Sequence, residues 1–335
     1  MKPKHNITIE DIAAQAGVSI STVSRVINNT APVAEKTKKK VLDIIEAFGY
    51  KPNLFAQSLA GGQSKTIGVL TQLIGSPFYD VILRGILRGI EGTTYSTLFA
   101  DGSWDAKKDR VALNMFRQRQ VDGLILLDSH IATEDIFDIA EEMPIIMIGR
   151  SIPELEKQCI PFDDFDAAYK ATKFLIDSGH RQIAHITGLL NHNDAIERRD
   201  GYLKALKDSG ISPDPHLIIE GDFTEPSGMM ATEMLLGQGQ IFSAIFAAND
   251  QMAIGARLAL YRRGLRVPED VSIVGFDDQP PSSYMIPPLT TMQRSPLEMG
   301  EKACKALLNL IQKKPISLPK HESKLIIRES VIRRL

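Results

Sequence analysis

The sequence predicts an α/β protein in two parts, a small helix-turn-helix head and a larger body of doubly wound parallel sheets. Three observations carry this. Apolar residues in the first sixty or so positions recur with a helical period, whereas from Thr66 onward short apolar runs alternate with amphipathic segments. At 335 residues the chain is too long for one small core, since domains run to about 100–200 residues. The net charge of −2 also conceals a split: residues 1–62 hold eight Lys/Arg against five Asp/Glu, and the remainder thirty-one against thirty-six. A basic head on an acidic body suits a DNA-reading module joined to a soluble sensor.

In the head, Ile9, Ile12, Ala13 and Ala16 share one helix face, with Thr8 and Asp11 placed to cap it and Gly17 to end it. Ser19 is the expected N-cap of a second helix that buries Val23, Val26 and Ile27. A third, Glu35 to Phe48, is expected to bury Val41, Leu42, Ile45 and Phe48 before Gly49 stops it. Ala13, Gly17 and Val23 stand at helix-turn-helix spacing: a small residue for close approach, a glycine for the turn, a β-branched residue to seat the second helix.

The outer face of that second helix presents Ile20, Ser21, Thr22, Ser24, Arg25 and Asn28 beside Ser19. Hydroxyls bond phosphates, a guanidinium can take two acceptors on guanine, and an aliphatic group can meet a thymine methyl. An ordinary three-helix bundle with a solvated polar face would share the periodicity; the spacing and the face chemistry together favour DNA. After Tyr50, Pro52 blocks continuation and residues 53–60 form one or two turns before Gly61 and Gly62. So short a helix needs a partner to be stable.

In the body, strands are expected at Thr66–Leu70, Thr97–Ala100, Gly123–Leu127, Ile145–Ile148, Gln182–Ile186, Leu217–Ile219, Ala244–Ala247 and Ser272–Phe276. Helices fall between them at Pro77–Glu91, Asp105–Arg119, Glu134–Glu142, Asp166–Ser178, Ala195–Ser209, Glu225–Leu236 and Gln251–Arg263. Such alternation predicts parallel sheets of βαβ units, too many for one sheet, with ligand between two lobes at the strand ends. Cleft candidates are Ser76 and Phe78 after the first strand, Arg150 after the fourth, Phe162, Arg198, Phe223, Asn249 and Asp277. Asn or Asp after a strand is more often a helix cap, and a phenylalanine more often core.

Other classes are disfavoured. The chain has no Walker A sequence, no GxGxxG after a strand, no HExxH and no GxSxG, and its seven histidines are scattered. No enzyme activity, cofactor or metal is expected; the residual enzyme reading is a glycosidase using carboxylates such as Asp163 and Asp277. Two cysteines, Cys159 and Cys304, make no disulfide framework. No apolar run approaches the roughly 18 residues of a membrane span, and the charged N-terminus does not read as a signal peptide. A cytoplasmic protein without membrane contact is expected.

Ile9-Glu10-Asp11-Ile12-Ala13, Ala16-Gly17-Val18-Ser19, Thr22-Val23-Ser24-Arg25-Val26-Ile27-Asn28 and Gly49-Tyr50-Lys51-Pro52-Asn53 resemble the head of the lac-repressor (LacI/GalR) family, and the likeness continues through the remaining chain. The resemblance implies a two-lobed, periplasmic-binding-protein-like (type I) body with crossovers near Phe162–Asp163, Leu289–Met292 and Ser323–Lys324. The implied division is a head of residues 1–62 and a body of 63–335, with an N-lobe of 63–162 and 291–323 and a C-lobe of 163–290 and 324–335.

By this resemblance Ile20, Ser21 and Arg25 read bases, and Leu59 wedges into the minor groove from a hinge helix (53–60) with Asn53 and Ala56 beside it. Arg198, Asn249 and Asp277 hold an effector walled by Phe162 and Phe223, while Arg199 points elsewhere. Two departures touch the cleft. Relatives commonly carry an acid where Gly149 stands, which suggests room for a larger ligand. A commonly polar position near Leu127 is apolar, with Asp128 next to it. The implied protein is a homodimeric repressor on a pseudo-palindromic double-stranded DNA operator, controlled by a sugar or, alternatively, by a purine or other nucleobase.

Overall fold

The computed structural model describes residues 7–28, 31–50, 63–318 and 322–334. They form two compact units: one reaches to Thr66 and includes Gln120–Asp122, and the other comprises Ile67–Arg119 and Gly123 onward.

The first unit holds α1 (Ile9–Ala16), α2 (Ile20–Asn28) and α3 (Glu35–Phe48). A reciprocal cap starts α1: the Asp11 backbone N–H donates to Thr8 Oγ1 (3.3 Å) and the Thr8 N–H to Asp11 Oδ2 (2.8 Å). Gly17 ends it at φ +67°, a left-handed turn that a side chain would strain. Ile12, Ala13, Ala16, Val23, Val26 and Val41 form the core. Each large aliphatic side chain among them contributes roughly 1.5–3 kcal/mol on burial. In α3 the buried stripe is Val41 with Ile44 and Ile45 packed beside it, not the wider face expected. Leu42, one residue and about 100° round the helix from Val41, stays exposed, and so does Phe48 in the last turn.

The second unit holds two sheets. The first has the order β2 (Ser96–Asp101), β1 (Thr66–Thr71), β3 (Leu124–Leu127), β4 (Ile145–Ile148), β5 (Cys159–Ile160). Along the chain its strands alternate with α4 (Pro77–Ile90), α5 (Ala106–Gln118) and α6 (Thr133–Glu142). The second runs β11 (Lys324–Ile326), β10 (Thr290–Gln293), β9 (Ser272–Asp277), β8 (Ala244–Ala247), β6 (Ile183–Thr187), β7 (Ile218–Glu220). It is flanked in sequence by α7 (Asp164–Asp177), α8 (Asn193–Asp208), α9 (Glu225–Gly237) and α10 (Asp250–Arg262). Within it every pairing is parallel except that of β10 with β11.

Three strands and one helix extend the expected alternation: β5, β10, β11 and α11 (Pro296–Ile311). The crossover expected at Leu289–Met292 instead falls largely within β10, whose Thr290–Gln293 pair with Val274–Asp277 of β9. Thr290, Thr291 and Met292 are all buried, so this segment is a core strand. The chain leaves the sheet at Arg294. Helix α11 then packs on α4 so closely that a Cβ on Gly85 would lie 2.2 Å from the Leu297 carbonyl oxygen, and one on Gly89 2.5 Å from Cys304 Cβ. Those glycines serve helix packing, not a phosphate.

Candidate functional site

Strands of both sheets deliver residues to one cleft between the lobes, as the open ends of parallel sheets do. The cleft holds two chambers. An aromatic chamber of about 410 Å³ is lined by Ser76, Phe78, Phe162, Arg198, Phe223, Asn249 and Asp277, all named from the sequence. It is completed by Tyr79, Trp104, His192, Gln279 and Arg294, which were not. A polar chamber of about 510 Å³ adjoins it, lined by Asp128, His130, Gly149, Arg150, Asp164, Asp194 and Glu197 among others. The two share Trp104, Phe162, His192 and Asp194.

Two buried guanidinium groups organise the cleft. Arg198, one helical turn into α8, donates from Nε to Asp164 Oδ1 (2.8 Å) and from Nη1 to the Ala248 carbonyl (2.5 Å). Its Nη2 lies 3.4 Å from Asp194, and its guanidinium centre lies 4.1 Å from the Phe276 ring centroid. Burial alone would lower its pKa, but Asp164, Asp194 and Asp277 outweigh burial and the net shift is upward. Arg199 turns away to Asp200 (2.7 Å).

Arg294, at the crossover after β10, lies between Phe78 and Phe162, its guanidinium centre 4.3 and 4.0 Å from the two centroids. Its Nη1 reaches Asp164 (3.3 Å) and Asp277 (3.4 Å). Arg294 is 4% exposed, and among the described residues its Nη2 has no hydrogen-bond partner. A buried donor left unpaired costs free energy that an arriving acceptor recovers.

Burial pushes the Asp277 carboxyl up to about 6 against the opposing pull of Arg198 and Arg294. Asp128 is raised to about 7, by desolvation and then by Asp194, although the Tyr79 hydroxyl donates to its Oδ2 at 2.8 Å. Gly149 has φ +87°, and a Cβ there would lie 1.9 Å from Asp128 Oδ1 and 2.7 Å from a Phe162 ring carbon. The missing side chain therefore makes room for Asp128 and Phe162, not for a larger ligand.

Several candidates have their polar groups engaged within the fold. Asn249 caps α10, accepting from the Met252 N–H (2.9 Å), and its amide donates to the Phe223 carbonyl (2.8 Å), fixing that residue at φ +67°. Arg150 lines the polar chamber, but its guanidinium donates to the Ile131 carbonyl and to Thr133 Oγ1 (2.8 Å), clamping the loop after β3. Ser76 starts α4 without a side-chain capping bond. Asp163, the partner imagined for Asp277 in a glycosidase, lines neither chamber.

Of the residues missed, Asp128 directly follows the expected strand Gly123–Leu127, a signal the sequence did contain, whereas Arg294 follows β10, whose polar side chains conceal the strand. Trp104 and His192 sit in turns whose meeting requires both lobes. Their rings stack with centroids 4.2 Å apart and planes at 22°. Trp104 adopts φ +59°, an uncommon conformation for a bulky residue that points to a site under constraint.

In the head, Ser19, Ile20, Ser21 and Arg25 are exposed, and Thr22 and Ser24 are half-buried. Ile20 is 47% exposed, unusual for an isoleucine in a trihelical core and apt for an apolar contact. Ser19 Oγ accepts from the Thr22 N–H (3.2 Å) and lies 2.8 Å from Ser21 Oγ. The Asn28 side chain, together with Asn53, Ala56, Leu59 and the expected hinge helix, lies outside the described residues. Among the described residues no helix is long and apolar enough to cross a membrane, and no group of three or more His, Cys, Asp or Glu could hold a metal ion.

Residues 8–53 match the model of the bacterial regulatory proteins of the lacI family, and residues 172–331 that of a periplasmic binding protein-like domain. The HTH-type transcriptional repressor PurR of Haemophilus influenzae (strain PittEE) is 36% identical over 332 residues, covering 97% of this chain and 98% of that protein. The ribose operon repressor of H. influenzae (strain ATCC 51907 / DSM 11121 / KW20 / Rd) is 35% identical over 305 residues, 91% of this chain and 92% of that one. The lac repressor dimer bound to operator and the anti-inducer ONPF superposes with a TM-score of 0.86 at 31% identity, over 98% of this chain and 100% of that chain. The helix-turn-helix face, the two-lobed body and full-length likeness agree: the chain belongs to the lacI family and is a sequence-specific DNA-binding regulator.

Proposed function

We propose that the protein is a homodimeric repressor whose hold on a pseudo-palindromic operator is set by a sugar bound between the lobes. The juxtaposition of aromatic walls with a buried guanidinium that keeps one unpaired nitrogen carries the sugar reading. Phe78, Phe162, Phe223 and Trp104 offer faces for the apolar side of a sugar ring. Arg294 Nη2, unpartnered among the described residues, and the Asp277 carboxylate offer a donor and an acceptor for its hydroxyls. Arg198 holds this arrangement in place, with Asn249 and Phe223 forming the wall of the second lobe. Arg25, Ile20 and Ser21 read bases, with Ser19, Thr22, Ser24 and Asn28 near phosphates, and Leu59, Asn53 and Ala56 act in the minor groove.

Met230 and Met234 of α9 and Leu258 and Tyr261 of α10 are large exposed apolar side chains on two helices that pack together, and they suit contact with a second copy of the chain. In such a dimer the ligand acts only through its unequal affinity for two lobe arrangements, and operator DNA reciprocally changes ligand affinity. A thermal-shift screen of sugars against purine bases, followed by gel shift on palindromic DNA with each hit, tests the reading. A stabilising sugar that alters DNA binding supports it. A purine base alone doing so overturns the sugar assignment and leaves the regulator intact.

A further inference from the structure

The cleft has more room than one sugar ring uses, and its two halves differ in chemistry. Either chamber alone, about 410 Å³ and about 510 Å³, has the volume of an ordinary small-molecule pocket. The aromatic chamber carries the unpartnered Arg294 Nη2. At the wall common to both chambers stands a second such group: His192 is 6% exposed, and among the described residues its Nδ1 has no hydrogen-bond partner. Opposite partners are available there. Asp128 is set over Gly149 with one oxygen on Tyr79, leaving lone pairs of Oδ1 for a donor. Asp194 lines both chambers, so the two subsites are joined at a polar residue as well as at the Trp104–His192 stack.

We propose that the polar chamber is a second ligand subsite, so that the effector is a two-ring glycoside: one ring lies against Phe78 and Phe162 with an oxygen on Arg294, and the second donates hydroxyls to Asp128 and His192. This rests on the sugar reading above and adds the substrate class to it. A monosaccharide on Arg294 would leave the Asp128 carboxylate in the polar chamber without a donor from the ligand, which a site built around hydrogen bonds penalises.

The test is calorimetric titration of the full-length protein with glucose, galactose and ribose as single rings, and with cellobiose, lactose, maltose and trehalose as two rings. Adenine and hypoxanthine complete the panel. One two-ring sugar should bind at least about tenfold tighter than every single ring, the equivalent of one to two good hydrogen bonds. Asp128→Asn, which keeps the acceptor for Tyr79, should erase that advantage while single-ring affinity stays level, and His192→Phe, which keeps the stack but removes Nδ1 from the wall common to both chambers, should also reduce it. Operator gel shift and thermal melting confirm that each variant is folded. A monosaccharide that binds as tightly as the best disaccharide overturns the second subsite and leaves the sugar reading standing; so does a two-ring advantage untouched in both variants. Binding of purine bases alone, or of no sugar at all, overturns the sugar reading and the second subsite with it.

Discussion

The indole of Trp104, from the first lobe, stacks on the imidazole of His192, from the second, 4.2 Å between centroids. Such a contact exists only while the lobes hold this spacing, so it reports directly on their closure. Trp104 is the chain's single tryptophan, which gives the report no background. Effector binding should change the intensity or wavelength of tryptophan emission, and the change should saturate with the calorimetric affinity. In His192→Ala the ligand-dependent change should shrink because the indole loses its stacked neighbour. An emission spectrum indifferent to a ligand that demonstrably binds would show that the stack does not sense closure.

Arg198→Ala removes the cation that Asp164 and the Ala248 carbonyl share. Asp164 would keep only the 3.3 Å contact with Arg294, and truncating one partner of a buried pair costs about 3–5 kcal/mol. Urea unfolding should show a loss of that order in the lobed unit, and the effector response should vanish while DNA binding persists. The neighbouring Arg199→Ala is the control. Its ion pair with Asp200 is partly exposed, so the change should stay within about 1 kcal/mol and leave the response intact. Equal losses from both substitutions would remove Arg198 from its place at the centre of the cleft.

Arg25→Ala tests the head separately. Arg25 is exposed on the outer face of α2, where nothing in the core depends on it. Selection of operators from a randomised pool should show relaxed preference at one position in each half-site, a cost of about 1–3 kcal/mol there. Uniformly weaker binding with the preference preserved would instead make Arg25 a phosphate contact.

Much of this architecture was legible because period and punctuation agreed with the fold. The capped α1, Gly17 and the alternation after Thr66 each follow from local chemistry. Leu42 and Phe48 misled because a hydrophobic residue near a helix stripe need not lie on it. Arg294 lies just past the expected crossover Leu289–Met292, and the buried threonines of β10 hide strand character under polar side chains. Gly149 is the clearest case of what one sequence cannot show. Its vacancy reads as space for ligand, and only the placed chain reveals that Asp128, twenty-one positions earlier, already fills it. The meeting of Trp104 with His192 likewise depends on two lobes that no local pattern relates.

The proposed contact with Asp128 should also make ligand affinity depend on pH. The pKa of Asp128 in the free protein is about 7, so the carboxyl is largely protonated at pH 6 and largely ionised at pH 8. In the proposed complex a sugar hydroxyl donates to the carboxylate, so binding would lower that pKa and release a proton. Affinity should therefore rise between pH 6 and pH 8, by up to about tenfold if the bound carboxylate stays ionised throughout. Asp277, raised to about 6, adds to the lower part of the same window. Stability without ligand runs the other way. Raised folded values at Asp128 and at Asp250, also about 7, contribute stability that is present below the usual carboxylate range and is lost as pH climbs through 7. That loss runs from about pH 4 to about pH 7, so in the ligand-free protein most of it is complete before affinity has finished rising. Calorimetric titrations at pH 6, 7 and 8 of the wild type and Asp128→Asn check the point: the variant should show a flatter profile, and an equally flat wild type would mean that no titrating carboxylate meets the ligand.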